Sequence, residues 1–151
     1  MRGPVGGAAP GSGPEKAAES EKRSPLRLSV ASRADAKDIL ELYNWYVLHH
    51  TATFQVTPST LEEYEDWVDN TLKVAPLLLA RDADGRLLGY ACAHRWHPRE
   101  AYDWSVESTI YCAPDARGCG VGTLLYRALL ELLAACGYWN VYALVADPNP
   151  A

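Results

Sequence analysis

The residue pattern predicts a mixed α/β (α+β) fold, one central sheet flanked by helices. Three observations predict it. Short apolar–polar alternations lie between longer stretches with an apolar residue every three or four positions. An Asp84-Gly85 step joins two apolar runs, as a hairpin turn does. The stretch Trp104–Ala146 runs strand, helix, strand, the pattern of a parallel crossover.

Each element follows from its residues. Leu26-Arg-Leu-Ser-Val30 alternates and predicts a short half-buried strand. Ser32-Arg-Ala-Asp35 opens a helix whose apolar face is Ala36, Ile39, Leu40, Tyr43, Tyr46 and Val47, ending at His49-His50. A β-branched loop, Thr51–Pro58, surrounds Phe54, and Ser59-Thr-Leu-Glu62 forms a capping box for a second helix through about Leu72. Pro76–Arg81 and Arg86–Arg95 are the hairpin strands, Trp96–Ala101 a polar loop and Trp104–Ala113 a further strand. The clearest helix is Gly120–Cys136, with Val121, Leu124, Leu125, Ala128, Leu129, Leu132, Leu133 and Cys136 in one stripe and Gly137 as its stop. Tyr138–Ala146 closes the order as an apolar strand.

Composition limits the function classes. A length of 151 residues, 48% hydrophobic and 22% charged, fits one globular domain. Its net charge of −5 supplies no basic field for nucleic acid, so none is expected as a partner. No apolar run approaches the roughly 18 residues of a membrane span, so no membrane partner is expected either. Met1–Pro25 holds four bases, three acids and a single branched aliphatic, Val5, and predicts a disordered tail without a secretory core. The folded domain is then expected over 26–151. The four cysteines (92, 112, 119 and 136) form no C-x-x-C pair, and predict reduced, mostly buried thiols in a cytoplasmic protein without a metal. His94 and His97 are spaced wrongly for a metal pair on one strand.

The densest chemistry lies at Arg117-Gly-Cys-Gly-Val-Gly122, where a strand becomes a helix. Glycines there let backbone N–H groups and the positive end of the helix dipole approach a phosphate. The spacing is neither G-x-G-x-x-G nor a Walker loop, which leaves an R-x-x-G-x-G pyrophosphate cradle or a turn chosen for tight packing. On the preceding strand, alternation sets Ser105, Glu107, Thr109 and Tyr111 on one face. Glu107 is then either a general base in a mostly apolar strand or a solvent-facing acid on a half-exposed sheet.

These residues carry a resemblance. Arg117–Gly122 looks like the coenzyme A signature of the GNAT N-acetyltransferase superfamily. Ala101-Tyr-Asp-Trp-Ser-Val-Glu107-Ser-Thr-Ile-Tyr111 resembles the phosphinothricin and methionine sulfoximine N-acetyltransferases, as do Leu42-Tyr-Asn44, Thr53-Phe54 and Gly89-Tyr90-Ala91. The similarity runs from about Leu26 to Asn149.

The resemblance implies a GNAT-like sheet and direct transfer of acetyl from acetyl-CoA, as co-substrate, to the amino group of a small amino acid analogue. It makes Glu107 the general base, acting through water. Thr109, Ile110 and Tyr111 would line the pantetheine arm. Arg117, Gly118, Cys119, Gly120, Val121 and Gly122, with Asn149, would hold the coenzyme. Phe54, His97 and Arg99 would meet the substrate, Arg99 gripping an anion and His97 standing where relatives carry Arg or Lys. A homodimer is compatible with the family. The resemblance also implies a helix and two strands beyond Asn149 that this sequence does not contain, so the sheet edge beside Val141–Val145 is expected to lie uncovered. The alternative expectation is a fragment without catalysis that binds CoA or a protein partner.

Overall fold

The computed structural model describes residues 25–146. The tail before Pro25 and Asn149 both lie outside the described residues. The chain forms β1 (Arg27–Val30), α1 (Ala36–His49), α2 (Leu61–Val74), β2 (Leu78–Arg81), β3 (Leu87–Arg95), β4 (Ser105–Cys112), α3 (Val121–Ala135) and β5 (Asn140–Ala143). Short 3-10 turns precede α1, β4 and α3. The five strands make one sheet in sequence order, antiparallel except for the parallel pair β4–β5. This is the expected mixed sheet, and the helix between β4 and β5 is the expected crossover.

The strand period of two divides the sheet into faces. Tyr90, Cys92 and His94 of β3 stand opposite Tyr111, Thr109 and Glu107 of β4 in register. That face packs under α1 and α2, with Tyr43 5.5 Å from Tyr111 and Trp67 6.2 Å from Tyr90 between ring centres. The other face meets α3, whose Val121, Leu125, Leu129 and Leu133 are buried. Gly89 sets that approach: a Cβ there would sit 2.8 Å from the Tyr111 carbonyl oxygen and 3.2 Å from Leu125 and Val121.

Local chemistry explains the ends. Asp35 Oδ2 accepts from the Ser32 N–H and hydroxyl at 2.8 and 2.9 Å, closing the entry to α1. The Asp82–Arg86 turn places Gly85 at φ +87°, while Asp82 Oδ1 accepts the Arg86 N–H at 2.9 Å. Arg81 pairs with Asp35 at 2.9 Å and Asp38 at 2.7 Å, tying β2 to the start of α1.

The capping box of α2 falls one residue later than expected. Thr60 Oγ1 accepts the Glu63 N–H at 3.3 Å, and Glu63 Oε2 accepts the Thr60 N–H at 2.8 Å. Ser59 is engaged elsewhere: its N–H donates to Asn44 Oδ1 and its carbonyl accepts from Asn44 Nδ2, both at 3.0 Å.

Five further expectations change. β1 does not alternate between buried and exposed: all four residues of this edge strand are exposed, Leu28 at 36% and Val30 at 60%. In α1 the buried set includes Leu42, while Leu40, Tyr43 and Val47 are only half-buried, so the face is turned slightly. The α3 stripe narrows, leaving Leu132 and Cys136 exposed. β5 pairs only over Asn140–Ala143, and Cys119 joins Cys136 as an exposed thiol, so half of the cysteines lie outside the core.

Candidate active site

The site begins where the parallel ladder stops. β5 pairs with β4 only through Ser108↔Ala143, while β4 continues to Cys112. Beyond Ser108 the edge of β4 therefore has no strand beside it among the described residues. The parting point is tied by side chains: the Ser108 hydroxyl lies 2.9 Å from the Tyr126 hydroxyl and donates to the Tyr142 carbonyl at 3.1 Å. An open cleft of about 860 Å³ follows, walled by Glu107–Cys112 on one side, Ala143–Ala146 on the other, and the entry to α3 at its end.

That entry is built for close approach. Gly118 and Gly120 hold φ of +71° and +83°, and a Cβ on either would meet nothing within 4 Å. Tight packing is thus not the reason for these two glycines; the left-handed backbone is. Gly120 caps α3, and Val121, Gly122 and Thr123 of its first turn, whose backbone N–H groups have no partner within the helix, line the cleft. Arg117 is held at the mouth. Its Nη2 donates to the Tyr46 hydroxyl at 3.2 Å, its guanidinium carbon lies 5.6 Å from the Tyr46 ring centre, and the Tyr46 hydroxyl donates to the Cys112 carbonyl at 2.6 Å. That last bond closes the free β4 edge at Cys112 and leaves Ile110, between Thr109 and Tyr111 that pair with β3, as its open backbone.

The remaining candidate residues divide. Glu107 is half-buried on the cleft wall, across from His94 on β3 and Tyr142 on β5. Burial drives the His94 imidazole below its ordinary pKa, with the Glu107 charge opposing. Burial pushes the Tyr111 hydroxyl up to about 12, so it stays protonated at neutral pH. Val121 and Gly122 line the cleft, and Phe54 lies at its rim, 90% exposed. Cys119 is exposed and outside the cleft lining. His97 and Arg99 are not brought to the cleft: the His97 ring lies tilted against Tyr102, 4.7 Å between centres, and its Nδ1 accepts the Arg99 N–H at 3.2 Å. Tyr46, Ser108 and Tyr126 were missed as site residues, and only the one-face spacing of Tyr43 and Tyr46 hinted at one of them.

A glycine-shaped helix entry beside an unpaired strand edge fits a ligand with an anionic end and an amide-bearing arm, the chemistry of an acyl-coenzyme A. Residues 39–151 match the acetyltransferase (GNAT) family, and the chain belongs to it. It is 41% identical over 120 residues to a phosphinothricin N-acetyltransferase of Streptomyces coelicolor, covering 78% of this chain and 70% of that one. It is 37% identical over 122 residues to an L-methionine sulfoximine/L-methionine sulfone acetyltransferase of Pseudomonas aeruginosa, covering 80% and 71%. A phosphinothricin acetyltransferase from Sinorhizobium meliloti, solved in complex with acetyl-CoA, superposes with a TM-score of 0.79 at 32% identity, covering 83% and 68%.

The chain is thus an acetyltransferase of the GNAT type, a family that uses acetyl-CoA. Among the described residues no cluster of three or more His, Cys, Asp or Glu could hold a metal, and no helix is long and apolar enough to cross a membrane.

Proposed function

We propose that the chain transfers acetyl from acetyl-CoA to the primary amino group of a small amino acid analogue, with Glu107 as general base. One observation carries this reading: the open Thr109–Tyr111 edge lies between Glu107 and the Gly118–Gly122 turn, along a single strand and the loop that follows it. The similarity to phosphinothricin and methionine sulfoximine acetyltransferases supports the choice of acceptor.

Bound in this cleft, acetyl-CoA supplies a thioester-activated acetyl group. The N–H groups opening α3 and the Arg117 guanidinium bind its phosphates. The Ile110 N–H and carbonyl, which point away from β3, would pair with its amides as a neighbouring strand does. Glu107 takes one proton from the acceptor ammonium, and the neutral amine is then a nucleophile.

Glu107→Gln tests the base. It is expected to lower kcat/KM by about 10²–10⁴-fold, the range of general-base catalysis. Acetyl-CoA affinity, measured by calorimetry, should stay unchanged. An unaltered rate and pH profile would remove Glu107 from the mechanism.

A further inference from the structure

Behind β4, on the face covered by α1 and α2, lies a second and smaller chamber of about 300 Å³. Five aromatic rings line it: Tyr43, Tyr64, Trp67, Tyr90 and Tyr111. They form a continuous wall, with ring centres 5.4 Å apart for Tyr43–Tyr64, 4.8 Å for Tyr64–Trp67, 6.2 Å for Trp67–Tyr90 and 5.6 Å for Tyr90–Tyr111. Thr109 and Tyr111 line both this chamber and the coenzyme cleft. A ligand here therefore reaches the same stretch of β4, two residues from Glu107 on the same face.

Part of the polar lining is already engaged in internal contacts. The Tyr43 hydroxyl lies 3.0 Å from Thr53 Oγ1 and donates to Gln55 Oε1 at 3.0 Å. Gln55 Nε2 donates to the Thr57 carbonyl at 2.7 Å and to Ser59 Oγ at 2.8 Å. Glu63 is the one carboxylate of the lining; the Thr60 backbone N–H holds its pKa below the usual range, so it stays ionised. No lysine or arginine lines the chamber, and burial keeps His94 neutral at pH 7.

This chemistry selects by charge. Aromatic faces and one carboxylate favour an ammonium group and an apolar body. An anionic side chain would lose its water here without gaining a cation. We propose that the chamber receives the body of the acceptor amine and selects an uncharged, apolar or aromatic one over an anionic one. The proposal rests on the acetyl-transfer reading above and refines its acceptor.

The experiment compares three amines in CoA-release assays with the full chain: phosphinothricin, whose side chain is anionic, methionine sulfone, of similar length but neutral, and phenylalanine. Both neutral acceptors are expected to exceed phosphinothricin in kcat/KM by at least about tenfold. Gln55→Arg, at an exposed rim position, should bring a cation to the chamber and raise phosphinothricin turnover relative to methionine sulfone by a similar factor. Equal or greater turnover of phosphinothricin by the unsubstituted chain, or an unmoved ratio in Gln55→Arg, overturns the chamber proposal while acetyl transfer stands. Acetyl-CoA binding in calorimetry with no amine acetylated overturns the acetyl-transfer reading and this one with it.

Discussion

Arg117 donates to the Tyr46 hydroxyl at 3.2 Å, and the same hydroxyl donates to the Cys112 carbonyl at 2.6 Å. One side chain on α1 thus fixes both the guanidinium at the cleft mouth and the last carbonyl of the open strand edge. Tyr46→Phe removes both bonds while keeping the ring. It should destabilise the fold by about 1–2 kcal/mol, since a carbonyl loses its donor. It should also weaken acetyl-CoA binding, because Arg117 is released from its position. Chemical unfolding and calorimetry read the two effects separately. Unchanged coenzyme affinity would mean that Arg117 needs no anchor.

Gly120→Ala places a Cβ in open space but on a left-handed backbone. The cost is conformational, about 1–2 kcal/mol. If the loop relaxes to avoid it, the N–H groups turn from the cleft and coenzyme affinity falls further than stability does. Binding and thermal unfolding of the same variant test this. A variant with full affinity would show that the turn tolerates another conformation.

Gly89→Ala fails for a different reason. Its methyl meets a backbone oxygen at 2.8 Å, and a strand carbonyl paired into the sheet cannot move aside. We expect a loss of about 1–3 kcal/mol from overpacking between the sheet and α3. Urea unfolding should show a lower midpoint with an unchanged slope.

His94 gives stability a pH dependence of known sign. Burial, partly opposed by the charge of Glu107, keeps its folded pKa below the ordinary value. The unfolded chain accepts a proton near pH ~6.5 that the folded chain refuses until lower pH. Stability therefore rises with pH in that window, is fully present above it, and is lost as pH falls toward the folded pKa. His94→Gln should flatten this part of the profile between pH 5 and 7. An identical profile in the variant would assign the slope to other groups.

The order of elements was legible because period two and period three-to-four alternate cleanly along the chain. The parallel crossover followed from the apolar stripe of α3 between two strand-like runs. The α2 cap was misplaced because Ser59-Thr-Leu-Glu-Glu63 offers two registers. The choice between them is made by Asn44, fifteen positions upstream, through bonds no local pattern displays. The Arg117–Gly122 turn was visible because positive φ demands glycine at fixed spacing. Tyr46 was not, since a tyrosine on an apolar helix face has the same pattern whether its hydroxyl is idle or bonded. His97 and Arg99 were grouped with the site by resemblance; their loop instead folds upon itself, with His97 against Tyr102. The aromatic chamber draws its rings from four separate elements, so only the tertiary arrangement reveals it.

The Ser108 hydroxyl, held between Tyr126 and Tyr142, marks where the two parallel strands part. Its position would set a depth limit for an extended guest lying along β4, because the strands are backbone-paired below it. The backbone ladder closes the inner end of the cleft, and the hydroxyl braces that end. A chain whose parallel strands part at a different residue could admit a longer or shorter guest on an otherwise identical sheet.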